Sequence, residues 1–98
     1  MNLNLPDVDW RSQKMTIPGQ LKKMFEEAGE VAEAVATNDP VSTIKEALDT
    51  IQTCMTLIDM VKAEYLFSID KFIEEHNAKL ERKGYLKQAP TCYKDSPY

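Results

Sequence analysis

The four residues Thr37-Asn38-Asp39-Pro40 do most to limit what this chain can fold into. Proline lacks an amide hydrogen and its ring clashes with the preceding turn, so a helix arriving from the N-terminal side must stop before Pro40. The same proline suits the first position of a new helix, and Asp39 before it is a good N-cap. Helical patterns lie on both sides. Leu21, Met24, Phe25, Ala28, Val31, Ala32 and Val35 form an apolar stripe with a polar back. Beyond the break, Val41, Ile44, Leu48, Ile51, Met55 and Ile58 recur in alternating steps of three and four. Two helices joined this tightly fold back on each other as an antiparallel hairpin.

The remaining punctuation completes an all-α reading. Residues 1–17 show no sustained periodicity and read as an extended arm, and Thr16, Ile17 and Pro18 mark the start of the first helix. The second helix is expected over 40–66, with a break at Phe67 and Ser68. It carries Ala47, Cys54, Leu57, Met60 and Val61 off its main stripe, so it should be buried on several sides. In so short a chain, the expected cover is a partner subunit. Ser68 is expected to cap a third helix bearing Ile69, Phe72, Ile73, His76 and Leu80, with Gly84 at its C′ position. His76 falls on that apolar line and reads as packed or capping. The tail from Tyr85 holds Pro90 and Pro97 and should be poorly ordered unless a neighbour holds it. Ninety-eight residues fit one domain: arm 1–17, helical core 18–86 and tail 87–98. Three unequal helices do not make a symmetric four-helix bundle, but two copies, each giving its hairpin, complete one.

Charge narrows the function. Twelve Lys and Arg against sixteen Asp and Glu leave a net charge of −4, the wrong sign for gripping a nucleic-acid backbone. No apolar run approaches the roughly 20 residues of a membrane span, and the acidic, Pro6-broken N-terminus does not read as a signal peptide. Cys54 in a helical pattern and Cys92 in the tail make no disulfide scaffold. A cytoplasmic enzyme or adaptor is the expectation.

Two acidic pairs then stand out. Glu27 and Glu30 lie three apart on the first helix, and Glu46 and Asp49 repeat that spacing on the second. Like charges so placed repel unless a cation sits between them. Glu27 and Glu30 flank the apolar stripe, at the edge of an interhelical groove, and an antiparallel hairpin brings the pairs face to face. Four hard oxygen donors of this kind suit Mg²⁺ or Mn²⁺, which keep waters for phosphate oxygens to replace. Glu26, Glu33, Glu74, Glu75 and Glu81 read as solvated charge. The single histidine leaves no His-rich metal site, because Ile73 stands three before His76 where a Glu-x-x-His motif needs a glutamate.

The string Glu26-Glu27-x-x-Glu30 followed by Glu46-x-x-Asp49 resembles the signature of the MazG-like, all-α nucleoside triphosphate pyrophosphohydrolases. The surrounding letters, Glu-Ala-Gly-Glu-Val-Ala-Glu-Ala and Ile-Lys-Glu-Ala-Leu-Asp-Thr-Ile-Gln, fit as well. Downstream, the segment from His76 to Tyr85 is similar to the end of small, phage-type members. The likeness spans roughly residues 18–86. It implies a homodimer or dimer of dimers that hydrolyses a (d)NTP to (d)NMP and pyrophosphate. It also implies Glu27, Glu30, Glu46 and Asp49 as metal-binding and catalytic residues, and Asn77, Lys79, Arg82 and Lys83 as nucleotide or phosphate contacts. Lys83 stands where arginine is commoner, and a point charge does not replace a bidentate fork.

Trp10, on the arm, has two readings: stacking on the substrate base, or packing the arm against the bundle. Tyr85 and Tyr93 share that ambiguity. A non-catalytic helical oligomer, serving as an adaptor or regulatory protein, is the rival to the enzyme.

Overall fold

A computed structural model of the chain describes residues 1–87. It contains three helices, α1 (Ile17–Ala36), α2 (Pro40–Tyr65) and α3 (Asp70–Arg82), and no strand among the described residues. The tail residues Pro90, Cys92, Tyr93 and Pro97 lie outside that range. The chain divides into two compact units, Met1–Phe67 and the residues from Ser68 onward.

In the first unit, local chemistry sets the helix ends. Thr16 caps α1, its hydroxyl accepting from the Gly19 amide at 3.1 Å. A β-carbon on Gly19 would lie 2.9 Å from that hydroxyl oxygen, so glycine keeps the cap close. At the other end, Asn38 takes a left-handed conformation (φ 55°). Its amide donates to the Val35 carbonyl, and the Asp39 amide to that of Ala34. This closing pattern satisfies carbonyls that a helix end leaves open. Asp39 is also the first residue of the next cap, accepting from the Ser42 amide at 3.0 Å and the Ser42 hydroxyl at 2.8 Å. One residue thus finishes α1 and starts α2, and the two helices pack along each other.

Two expectations are corrected here, for the arm and for α1. The arm is not extended throughout: past Asp9 it turns, with the Met15 amide bonded to the Trp10 carbonyl and the Lys14 amide to that of Arg11. The apolar stripe of α1 is covered along one edge only, where Met24 and Val31 are half-buried. Leu21, Phe25 and Val35 are exposed, Phe25 at 67%, while Gln20 and Ala34 are buried. On α2 only Thr53, Thr56 and Met60 are buried, and Val41, Ile44, Met55 and Ile58 are exposed. The physical reason is angular. Met55 follows Thr53 by two residues, about 200° around the helix, so the long apolar row looks away from α1.

The second unit brings two more corrections. Ser68 does not cap α3: Ile69 occupies the N-cap, with helical φ and ψ and no side-chain cap. Asp70 in the first turn supplies negative charge at the positive end of the helix dipole instead. His76 is exposed rather than packed. The C-terminus of α3 follows expectation. Gly84 has φ 72°, its amide donates to Glu81, and that of Tyr85 donates to Leu80.

Candidate functional site

The inner faces of the hairpin build the site. On α1 the inward row is Gln20, Met24, Glu27, Val31 and Ala34, spaced by fours and threes, the last and first buried and the others half-buried. On α2 the facing row runs from Glu46 and Asp49 through Thr53 and Thr56 to Met60. Polar groups occupy much of what is usually an apolar seam, and they are tied down locally. The Thr50 hydroxyl donates to the Glu46 carbonyl at 2.9 Å, Thr53 to that of Asp49 at 2.8 Å, and Thr56 to that of Gln52 at 2.9 Å. These bonds let threonines sit inside a helix without an unmet hydroxyl. The Gln20 side-chain amide spans the seam to the Thr53 carbonyl at 3.1 Å.

Glu27, Glu46 and Asp49 converge. One carboxylate oxygen from each lies within 4.8 Å of the other two. Glu27 and Glu46 are half-buried and Asp49 is exposed. Glu27 Oε2 is buried with no hydrogen-bond partner. An orphaned carboxylate oxygen is costly to keep from water, unless a group absent from the protein chain meets it. Glu30, on the exposed flank, comes within hydrogen-bonding reach of both Glu27 and Glu46. The three convergent residues and the adjoining Glu30 are the four read from the two acidic motifs.

Their mutual repulsion appears in their acidity. Loss of water pushes the Glu27 carboxyl above its usual value, followed by the charge of Glu30, its hydrogen bond, and the charge of Asp49; Lys23 acts the other way. Glu46 is also pushed up, first by its hydrogen bond with Glu30, then by desolvation and the charges of Glu30, Asp49 and Glu27. The neighbouring carboxylates thus make Glu27 and Glu46 harder to ionise.

Two cavities open along the hairpin, and one of them adjoins this cluster. One of about 230 Å³ is lined by Val8, Met15, Lys23, Glu27, Asp49 and Thr53, among others. The second, about 630 Å³, lies between the arm and the far end of the hairpin, lined by Trp10, Arg11, Met15, Met60, Ala63 and Tyr65 among others. Met15 borders both.

Trp10 is half-buried, and its indole N–H donates to Asp59 Oδ2 at 3.0 Å. The Arg11 guanidinium carbon lies 4.7 Å from the centre of the indole ring. Sequence reading missed Asp59. The available signal was its isolation, since it is the only charged residue between positions 50 and 61. Asn77, Lys79 and Arg82 lie on α3 and Lys83 caps it; all four are exposed and belong to the second unit. The convergent carboxylates are supplied by the first unit alone.

A helical hairpin that turns carboxylates inward, one oxygen left bare, defines an all-α protein with a candidate centre for a hard cation. The family model for the MazG nucleotide pyrophosphohydrolase domain matches residues 16–84, and the chain belongs to that family. Membership points to nucleotide pyrophosphohydrolase activity in a typically metal-dependent family. No curated protein and no solved structure matches the chain.

Proposed function

We propose that this protein is a Mg²⁺-dependent nucleoside triphosphate pyrophosphohydrolase, converting a (d)NTP and water to (d)NMP and pyrophosphate in cytoplasmic nucleotide-pool housekeeping. The observation that carries this reading is the inward cluster of Glu27, Glu46 and Asp49 with Glu27 Oε2 unpartnered. The donor set is all oxygen, which fits Mg²⁺ and also accepts Mn²⁺. Glu27, Glu46 and Asp49 would hold the ion, with Glu30 beside them. When bound, such an ion offsets the carboxylate charge and takes phosphate oxygens as ligands.

The chain's own groups do the rest. Glu30 adjoins the convergent set without belonging to it, and so is the carboxylate left to orient the attacking water. It accepts a proton as the water oxygen bonds to the α-phosphorus. The bond from that phosphorus to the bridging oxygen breaks, and pyrophosphate leaves. Asn77, Lys79, Arg82 and Lys83 are the proposed contacts to the nucleotide and its β and γ phosphates, as positions matching the family pattern. Trp10 borders the larger cavity and is the proposed contact for the base.

Association of two hairpins, or of two such pairs, completes the bundle in this reading. The exposed outer rows support it: Ile44 is 64% and Ile58 51% exposed, which is expensive for isolated hydrophobic side chains in a row.

The test is pyrophosphate release from the common dNTPs, dUTP and the NTPs with Mg²⁺ or Mn²⁺. Turnover that disappears in Glu46→Ala and Asp49→Ala, with helicity intact, supports the enzyme. Absence of turnover with every nucleotide and both ions, and of stabilisation by either ion, rejects it in favour of a non-catalytic helical oligomer.

A further inference from the structure

The geometry points to Asp59 as a positioning residue for substrate: through Trp10 it fixes the N-terminal arm as the wall of the nucleotide cavity. The inference rests on the reading above, in which the larger cavity receives the base.

The arm is joined to α2 by two hydrogen bonds between residues far apart in sequence. The Gln52 side-chain amide donates to the Pro6 carbonyl at 2.6 Å, and the Trp10 indole N–H donates to Asp59 at 3.0 Å. Between these anchors lies Val8, which lines the smaller cavity beside Glu27 and Asp49. After the second anchor the chain turns at once. The Ser12 amide donates to the Asp9 carboxylate at 3.2 Å, the Met15 amide to the Trp10 carbonyl at 3.0 Å, and Lys14 adopts φ 53°. That turn delivers Met15, the residue bordering both cavities. The position of Met15 therefore follows from where Trp10 is held.

Chemistry explains the choice of aspartate. An indole N–H can only donate, so a half-buried tryptophan needs an acceptor. An ionised carboxylate is the strongest acceptor a side chain offers. Asp59 stands in a stretch of α2 otherwise free of charge. Arg11 lies over the indole ring, so the tilt fixed by Asp59 determines what the rest of the ring presents to the cavity.

The experiment uses the full chain and its single tryptophan as reporter. Asp59→Leu, Asp59→Asn, Trp10→Phe and the Asp59→Leu/Trp10→Phe double variant are compared, using the best nucleotide of the panel. In Asp59→Leu, Trp10 emission should shift to the red and KM should rise about tenfold, roughly the worth of one hydrogen bond to a charged group. The kcat should stay within about twofold of wild type, since the metal-binding carboxylates are untouched. Asparagine keeps an acceptor oxygen and should restore both readouts most of the way. The double variant should show a KM no higher than the worse single variant, because both changes remove the same bond.

An additive double variant, or a wild-type KM in Asp59→Leu despite shifted emission, overturns the inference and leaves the enzyme reading standing. Lack of any turnover by the wild type removes both. Should Asp59→Leu not fold, Asp59→Ala, which also removes the acceptor, and its double variant with Trp10→Phe carry the same test, with the same outcomes.

Discussion

The two sides of the α1–α2 hairpin lack the clean division of character that a simple amphipathic pair would give them. The inner side mixes Gln20, Glu27, Thr53 and Thr56 with Met24, Val31, Ala34 and Met60, whereas the outer side carries Phe25, Val35, Val41, Ile44 and Ile58. A lone hairpin optimised for its own stability would place the inner polar residues and the outer apolar ones the other way round. Polar residues on the seam cost stability unless each is satisfied. Gln20 and the threonines are satisfied by backbone carbonyls, and Glu27 Oε2 is not. The exception falls at the candidate site, where a missing partner is most informative. In the proposed reading the inner side carries the chemistry, and the outer side holds the apolar surface that association would bury.

The largest expected effect lies on the inner side. Asp49→Ala and Glu46→Ala should each lower kcat by about 10²- to 10⁴-fold, a range typical for removing a group that acts directly in the transition state. Pyrophosphate release at saturating nucleotide measures it. Equal losses from an outer-side change that leaves association intact would break the contrast. Next comes the outer side itself. In the proposed homodimer or dimer of dimers, Ile44→Glu with Ile58→Glu should give single chains in sedimentation experiments, and lower the melting temperature with it. An associated wild type whose sedimentation coefficient the variant keeps would show that another surface does the associating, and a wild type that sediments as a single chain would reject the proposed association.

Acidity sharpens the contrast further. Glu27 and Glu46 are both pushed up on folding, so the folded, metal-free chain binds their protons more tightly than the unfolded chain. Their contribution to stability is greatest below the ordinary glutamate range, about pH 4 to 5, and is lost as pH rises through the elevated values. Asp9 and Asp39 are lowered, chiefly by their hydrogen bonds with Ser12 and Ser42. Their contribution is present above the ordinary aspartate range and disappears as pH falls through the depressed values. Metal-free melting temperature should therefore peak in mild acid and fall toward neutrality, and Mg²⁺ should flatten the neutral limb. Glu27→Gln should remove much of that fall and abolish its response to Mg²⁺.

The smallest effect concerns the polar back of α1. Gly29 has nothing within 4 Å of a built β-carbon, so Gly29→Ala should stabilise the chain by about 0.5–1 kcal/mol. A destabilisation of similar size in chemical denaturation would mean that this position, too, is covered by a neighbouring surface.

Legibility from the sequence followed the same division. Helix ends were readable because caps are local: Thr16, Asp39, Pro40 and Gly84 each act on residues within a turn. Ser68 misled because a serine beside a helix start resembles a cap, yet the helix begins a residue later with Asp70 in its first turn. The four acidic positions were readable as a pattern, and the three-residue repeat put them on facing sides of the hairpin. The depth of Glu27 was not, since the stripe of Leu21, Phe25 and Val35 marks what is apolar, not which surface will cover it. Least readable was the arm. Trp10 and Asp59 are separated by 49 residues, and no periodicity links an irregular segment to its place on a helix.

Cation binding by the inner side tests the central claim most directly. Free Mn²⁺ is followed by electron paramagnetic resonance as wild type, Glu27→Gln and Asp49→Ala are titrated in without nucleotide. Wild type should deplete the free-ion signal in a saturable way, and both variants should lose most of that depletion while retaining their helicity. Depletion by the two variants equal to that of wild type would contradict the account, because the inner carboxylates would then not be what holds the ion.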